Sequence, residues 1–224
     1  VQLGEHPERV FLVGGMGVDG IKKSRLLNKA ELEKSVGFKF GSKNLLVTFH
    51  PVTLERETPR RQFSALLSCL EQLRNTKFIF TLSNADTHGR MINDMIYDFV
   101  NSHPGISKAF TSMGRLKYLS TLQYIDGVVG NSSSGLTEVP SFKKGTVNIG
   151  DRQKGRIKAD SVIDCEPNEE SIGNAIDRLY SKEFQEKLFK VRNPYGGGNA
   201  TEQIIEILKS HSIPKDLKKD FYDL

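Results

Sequence analysis

The chain reads as an α/β protein: a doubly wound, mostly parallel sheet with helices on both faces. Two observations point there. From residue 43 onward, short apolar runs alternate with stretches whose apolar residues recur at helical spacing. The polar residues of chemical interest collect in the segments that follow the short runs. Strands alternating with helices imply a parallel sheet covered on both faces. Right-handed crossovers put all strand C-termini on one edge, and ligands of such sheets bind at that edge.

Residues 45–49 form the first strand, which His50 and Pro51 end. Phe63, Leu66, Leu67, Leu70 and Leu73 then keep one helical face apolar. Residues 77–82 are the second strand. Met91, Ile92, Met95, Ile96, Phe99 and Val100 make the second stripe. Residues 108–111 are a modest third strand, and Leu116, Leu119, Leu122 and Ile125 mark a third helix. Residues 127–130, 145–149 and 161–164 complete the strands. Ile172, Ala175, Ile176 and Leu179, then Ile204, Ile205 and Leu208, mark the closing helices. The loops on the binding edge are residues 50–57, 83–87, 112–115, 131–138 and 150–156. Residues 9–13 also look like a strand, followed by Gly14, Gly15, Gly17 and Gly20. So many glycines make a poor element interior and suggest a hinge. Their spacing is not that of a dinucleotide fingerprint.

The 224 residues permit one large domain, or one and a half small ones. A net charge of +5 favours an anionic partner without identifying it. Lys209, Lys215, Lys218 and Lys219 supply part of the excess in a tail where acids are interleaved. There is no arginine-rich helix, RNA-binding aromatic motif or zinc-finger spacing, so a nucleic-acid partner is not expected. No apolar run is long enough to span a bilayer, so no membrane partner is expected either. The first residues, Val1-Gln2-Leu3-Gly4-Glu5, show no signal-peptide pattern and no Met, which suggests a piece of a longer protein. Cys69 and Cys165 fit a reducing, cytoplasmic setting and read as small buried hydrophobes. No metal-ligand spacing surrounds them or His6, His88, His103 and His211. Neither metal nor cofactor is expected.

The most informative segment is Gly130-Asn131-Ser132-Ser133-Ser134-Gly135-Leu136-Thr137-Glu138. Small residues between a strand and a helix let backbone N–H groups converge, and a helix start carries unpaired donors. A phosphate or diphosphate suits such a turn, and the hydroxyls of Ser132, Ser133 and Ser134 add donors. Glu138, about one turn inside the helix, is placed to accept from ribose hydroxyls. The alternative is a serine-capped helix with no ligand. His50, at a strand end, suits phosphate binding or proton transfer, or is a loop histidine without a role. Asn84 suits a base or sugar hydroxyl, or a turn. In Gly150-Asp151-Arg152-Gln153-Lys154-Gly155-Arg156 the arginines offer planar donor forks to anionic oxygens, unless the loop is simply solvated. No Gly-x-Ser-x-Gly elbow accompanies a base.

The serine turn with Glu138, followed by Asn148-Ile149 and the 150–156 loop, resembles the UDP-N-acetylglucosamine 2-epimerase family. His50-Pro51-Val52-Thr53 is similar to its hydrolysing branch. The two arginines and Glu that follow the corresponding His in the non-hydrolysing branch are missing here. Residues 9–14 and 197–200 also look like the family's hinge strand and final helix. The resemblance spans roughly residues 1 to 208. It implies the C-terminal half of a GT-B fold, with the UDP-sugar on a Rossmann-like sheet and most catalytic carboxylates in a missing N-terminal domain. The implied boundaries are 1–20 for the end of that domain and a hinge, 21–208 for the UDP-binding domain, and 209–224 for a charged tail. The implied reaction eliminates UDP from UDP-GlcNAc and hydrates the unsaturated sugar to N-acetylmannosamine, for sialic-acid or related nonulosonate synthesis. By resemblance, His50 is the catalytic group and Arg152 lies near the diphosphate. Asn84, Ser132, Ser133, Ser134 and Gly135 line the nucleotide site, Glu138 takes the ribose, and the backbone around Met113 faces uracil. The full-length protein is expected to be a homo-oligomer, and this chain alone to be inactive. Two other readings stay open: a GT-B glycosyltransferase, and a non-enzymatic module that binds anions or nucleic acid.

Overall fold

A computed structural model of the protein describes residues 2–52, 59–84, 88–212 and 221–222. Thr53 to Glu57 of the first binding-edge loop, residues 85–87 of the second, and the tail lysines Lys215, Lys218 and Lys219 lie outside the described residues. The chain divides into two compact units, residues 24–194 and residues 1–23 with 195–224.

The larger unit carries six strands: β1 Lys43–Thr48, β2 Thr76–Thr81, β3 Ser107–Phe110, β4 Gly127–Gly130, β5 Gly145–Ile149 and β6 Val162–Cys165. All pair in parallel, in the order β3-β2-β1-β4-β5-β6. This is the doubly wound α/β class expected. The order reverses between β1 and β4, which is where such sheets open a crevice for ligands. Leu45, Leu46 and Val47 are almost fully buried because both faces of β1 are covered, hence the continuous apolar run. Helices α3 Pro59–Glu71, α4 Gly89–Ser102 and α7 Glu169–Tyr180 pack together over one face. They bury Phe63, Leu66, Ile92, Ile96, Ile172 and Ile176. Helices α2 Lys29–Val36 and α5 Gly114–Leu122 pack against each other, and the right-handed crossover rule puts them on the opposite face.

Helix α2 is not evident from its apolar spacing. Its start is a capping box, in which Asn28 Oδ1 accepts from Glu31 N and Glu31 Oε2 accepts from Asn28 N. In its last turn and just beyond, Lys117, Lys108 and Lys77 donate to the carbonyls of Ser35, Gly37 and Lys39, at 3.3, 3.0 and 2.7 Å. Cations there complement the helix C-terminus. Three lysines of the basic surplus are therefore engaged in holding the segment that precedes the sheet.

The smaller unit departs from the sequence expectation. Residues 10–15 form no strand, and Leu12 is 96% exposed. An apolar run becomes a strand only with a partner to pair with, and among the described residues it has none. The glycine-rich stretch, expected to make a poor element interior, is partly helical: α1 spans Met16–Lys23 and includes Gly17 and Gly20. Its Asp19 is buried and supplies the cap of α9 Ala200–Ser210, accepting from Ala200 N at 2.9 Å and Thr201 N at 2.7 Å. Asn199, the residue at the cap position, makes no such bond.

The bonds from Thr201, and with them Ala200 and Lys23, hold the Asp19 carboxyl below its ordinary range, against the opposing effect of burial. A depressed carboxylate stabilises the fold above its unfolded-state pKa, and that contribution disappears as pH falls through the lowered native value. Asp19→Asn should therefore melt earlier than the parent at about pH 7. The difference should shrink as acid protonates the native carboxyl, in melts taken down to about pH 2. Thermal melts at the two pH values test this, and an unchanged difference would assign the effect to packing rather than charge.

Candidate functional site

The binding edge of the sheet holds a cleft of about 450 Å³ at the crevice between β1 and β4. Six of the nine expected site residues line it: His50, Asn84, Met113, Ser132, Ser134 and Glu138. They come from the segments that follow four strands, His50 after β1, Asn84 after β2, Met113 after β3, and Ser132, Ser134 and Glu138 after β4, as the topology requires. Ser133, Gly135 and Arg152 do not line this cleft.

Gly130 ends β4 with φ +137° directly against β1, where an added Cβ would sit 1.9 Å from the Thr48 carbonyl oxygen. The serine turn follows. The N–H groups of Ser132 and Ser133 find no acceptor among the described residues. The later N–H groups turn inward, Gly135 N to Ser132 O at 3.2 Å and Glu138 N to Ser134 O at 2.9 Å. Gly135 is a packing residue, since an added Cβ would stand 2.5 Å from Thr146 Cγ2. The helix opened by the turn is short: α6 is only Ser134–Thr137. Pro140, in the 3-10 turn Val139–Phe142, cannot extend it. Glu138 is therefore the residue just past the helix, half-buried at the cleft wall, and not one turn inside.

His50 is buried, with Nδ1 facing two groups of the next loop. Asn84 N donates to it at 3.4 Å, and Ser83 Oγ lies 3.3 Å away. A ring that accepts at Nδ1 carries its proton on Nε2 when neutral. The main chain of His50 is gripped by Asn131, whose Oδ1 accepts from His50 N at 2.8 Å while Nδ2 donates to His50 O at 2.7 Å. Arg152 is exposed, and its Nη1 donates to the Asn131 carbonyl at 3.2 Å.

Two residues of this arrangement were missed in the sequence. Asn131 lay inside the motif but was given no role of its own. Tyr118 of α5 gave no signal beyond helical spacing. Its hydroxyl is hydrogen-bonded to Ser134 Oγ, and burial, helped by the charge of Glu138, pushes its pKa up against that bond.

A neighbouring cleft of about 630 Å³ has Asn131, Lys154 and Lys158 on its walls. Lys158 is paired with Asp164 at 2.8 Å. Both cysteine thiols are pushed up by burial, Cys165 to about 12, so neither is a thiolate at neutral pH. Among the described residues, no group of three or more His, Cys, Asp or Glu is placed to hold a metal ion, and no helix is long and apolar enough to cross a membrane.

Comparison with known proteins agrees with this geometry. Residues 1–209 match the family model described as UDP-N-acetylglucosamine 2-epimerase. A GDP/UDP-N,N'-diacetylbacillosamine 2-epimerase (hydrolyzing) of Campylobacter jejuni subsp. jejuni is 39% identical over 225 residues, 100% of this chain and 58% of the relative. Polysialic acid biosynthesis protein P7 of Escherichia coli is 38% identical over 229 residues, 100% of this chain and 57% of the relative. The fold is similar to that of MnaA of S. aureus, solved with UDP, at a TM-score of 0.69 and 16% identity, covering 92% of this chain and 55% of that one. The chain thus spans 57–58% of the length of these curated relatives. With a family model matched along nearly the whole chain, on an α/β Rossmann-like sheet of the GT-B kind, the protein belongs to the UDP-N-acetylglucosamine 2-epimerase family.

Proposed function

We propose that this chain is the UDP-sugar-binding part of a hydrolysing UDP-sugar 2-epimerase. The observation that carries the reading is the convergence of His50, Ser132, Ser134, Glu138, Asn84 and Met113 on one cleft at the sheet's switch point. Unpaired N–H groups at Ser132 and Ser133, with the adjacent hydroxyls, suit the diphosphate. Arg152, tethered one residue before the turn, adds charge at its rim. The Glu138 carboxylate suits two ribose hydroxyls, and the backbone at Met113 suits the base. In this reaction a base removes the proton at sugar C2 as the C1–oxygen bond breaks and UDP departs. Water then adds to the unsaturated sugar, giving the 2-epimer and free UDP. The chain's own residues receive the leaving diphosphate. The base and most catalytic carboxylates belong to a further domain of the whole enzyme, which assembles as a homo-oligomer.

Two sugar substrates are in contention. UDP-GlcNAc follows from the family. A 2,4-diacetamido sugar is favoured by the name of the 39% identical Campylobacter relative. Supplying each to the whole enzyme and detecting the free 2-epimer with released UDP decides between them. Transfer of the sugar to an acceptor without release of the 2-epimer would instead establish a glycosyltransferase.

The chain itself should bind UDP weakly and turn over nothing. Glu138→Ala should weaken UDP by about 10- to 100-fold, the equivalent of the 1.5–3 kcal/mol of a hydrogen bond to a charged group. It should leave inorganic diphosphate within about twofold, because the serine turn and Glu138 hold different parts of the ligand. Calorimetry with the two ligands reads this directly, and equal losses would make Glu138 structural.

A further inference from the structure

We propose that Asn131 is the positioning residue of this site, setting His50 and Arg152 at fixed offsets from the serine turn. The proposal rests on reading the cleft as a diphosphate site. At the switch point, the chains leaving β1 and β4 turn to opposite faces of the sheet. Nothing in the strand ladder therefore holds the loop after β1 against the loop after β4. Asn131, the first residue past β4, closes that gap. Its own N–H donates to Thr48 O at 3.1 Å, continuing the contact between the two strands. Its side chain then takes both polar atoms of the next β1-side residue, His50 N at 2.8 Å and His50 O at 2.7 Å. These main-chain partners, one donor and one acceptor, fix the orientation of the amide. An aspartate has no proton for His50 O, and an aliphatic residue would leave both groups unmet.

On the other side, the Asn131 carbonyl accepts from Gln153 Nε2 at 2.8 Å and Arg152 Nη1 at 3.2 Å. One residue, 1% exposed, thereby joins the loops that follow β1, β4 and β5. Arg152 is exposed, so this tether is what directs its guanidinium toward the turn. Buried Gln153 lines neither the 450 Å³ nor the 630 Å³ cleft, so its influence on a ligand there passes through this carbonyl.

The test uses UDP as the probe, calorimetry and thermal melts on the chain, and ring ¹⁵N signals of His50. Asn131→Ala is expected to lower UDP affinity about tenfold or more. Because that variant strips partners from buried groups, Gln153→Leu is run beside it. It keeps the packing volume and removes only a donor to Asn131. UDP affinity should fall several-fold in Gln153→Leu, with the His50 ring signals moved and the melting temperature unchanged. Parental UDP affinity in folded Asn131→Ala overturns the proposal, as does parental affinity in Gln153→Leu if Asn131→Ala does not fold. A fall in affinity that merely follows a fall in melting temperature in both variants also overturns it, since that is what a purely structural residue would give. If the parent chain itself fails to bind UDP, the diphosphate reading is lost instead. The His50 ring signals in Gln153→Leu then still decide for or against Asn131.

Discussion

Gly130→Ala should lower the melting temperature by on the order of 10 °C and abolish measurable UDP binding. At φ +137°, an L-residue is strained by about 1–3 kcal/mol before any contact is considered. The contact is worse, because the new Cβ would stand 1.9 Å from the carbonyl oxygen of Thr48, which faces Gly130 in the β1–β4 register. Backbone rather than a flexible side chain is in the way, so relief requires moving β4 off β1. That movement weakens ladder bonds worth about 1 kcal/mol each and the bond from Asn131 N to Thr48 O. Gly155→Ala is the matched control. Its φ is +78° and nothing lies within 4 Å of an added Cβ, so it bears the conformational cost alone. If the two variants melt together, the close approach of the strands is not what the glycine serves. Differential scanning calorimetry with a UDP titration reads both effects.

The contrast between these glycines also shows what the sequence could and could not convey. Leu45, Leu46 and Val47 announce a strand buried on both faces because a parallel sheet hides both sides of its central members. Phe63, Leu66 and Leu70 announce the helix over them by the same burial. Such signals come from the core, where composition and position are tightly linked. The run at residues 9–13 is apolar without being core, and it misleads for that reason. Asn28 and Glu31 form a capping box three residues apart, but the helix they open is short and mostly polar, so the search for hydrophobic spacing passed over it. The six cleft residues were legible because strand ends in this topology must share an edge. Asn131 was not, because its role depends on two loops distant in sequence. An Asn that makes a turn and an Asn that clamps a neighbouring loop are the same letter. Tyr118 is hidden likewise, since nothing local says that its hydroxyl meets Ser134.

His50→Ala in the whole enzyme should cost about 10²–10³ in turnover while leaving the melting temperature within a few degrees. The imidazole stands at the end of β1 on the wall of the cleft that holds the serine turn. Asn84 N–H at Nδ1 places the proton of the neutral ring on Nε2, so His50 offers a hydrogen-bond donor without first becoming a cation. A donor aimed at the departing diphosphate is worth most where charge develops, and removing one donor of that kind has typically cost this much. The fold loses little, because the polar atoms that anchor this loop are main-chain ones held by Asn131, and alanine keeps them. Asn84 is exposed, so its N–H can turn to water once the ring is gone. The substitution therefore separates the two roles, and His50→Gln sharpens the separation. Its amide restores a neutral donor in the same pocket, so it should recover part of the lost turnover at every pH where the parent works. If the donor must instead be an imidazolium, His50→Gln will be as poor as alanine and parental activity will fall as pH rises. Turnover of His50→Ala equal to that of the parent would remove His50 from the site. A fall of ten degrees or more in its melting temperature would make it a packing residue of the loop after β1.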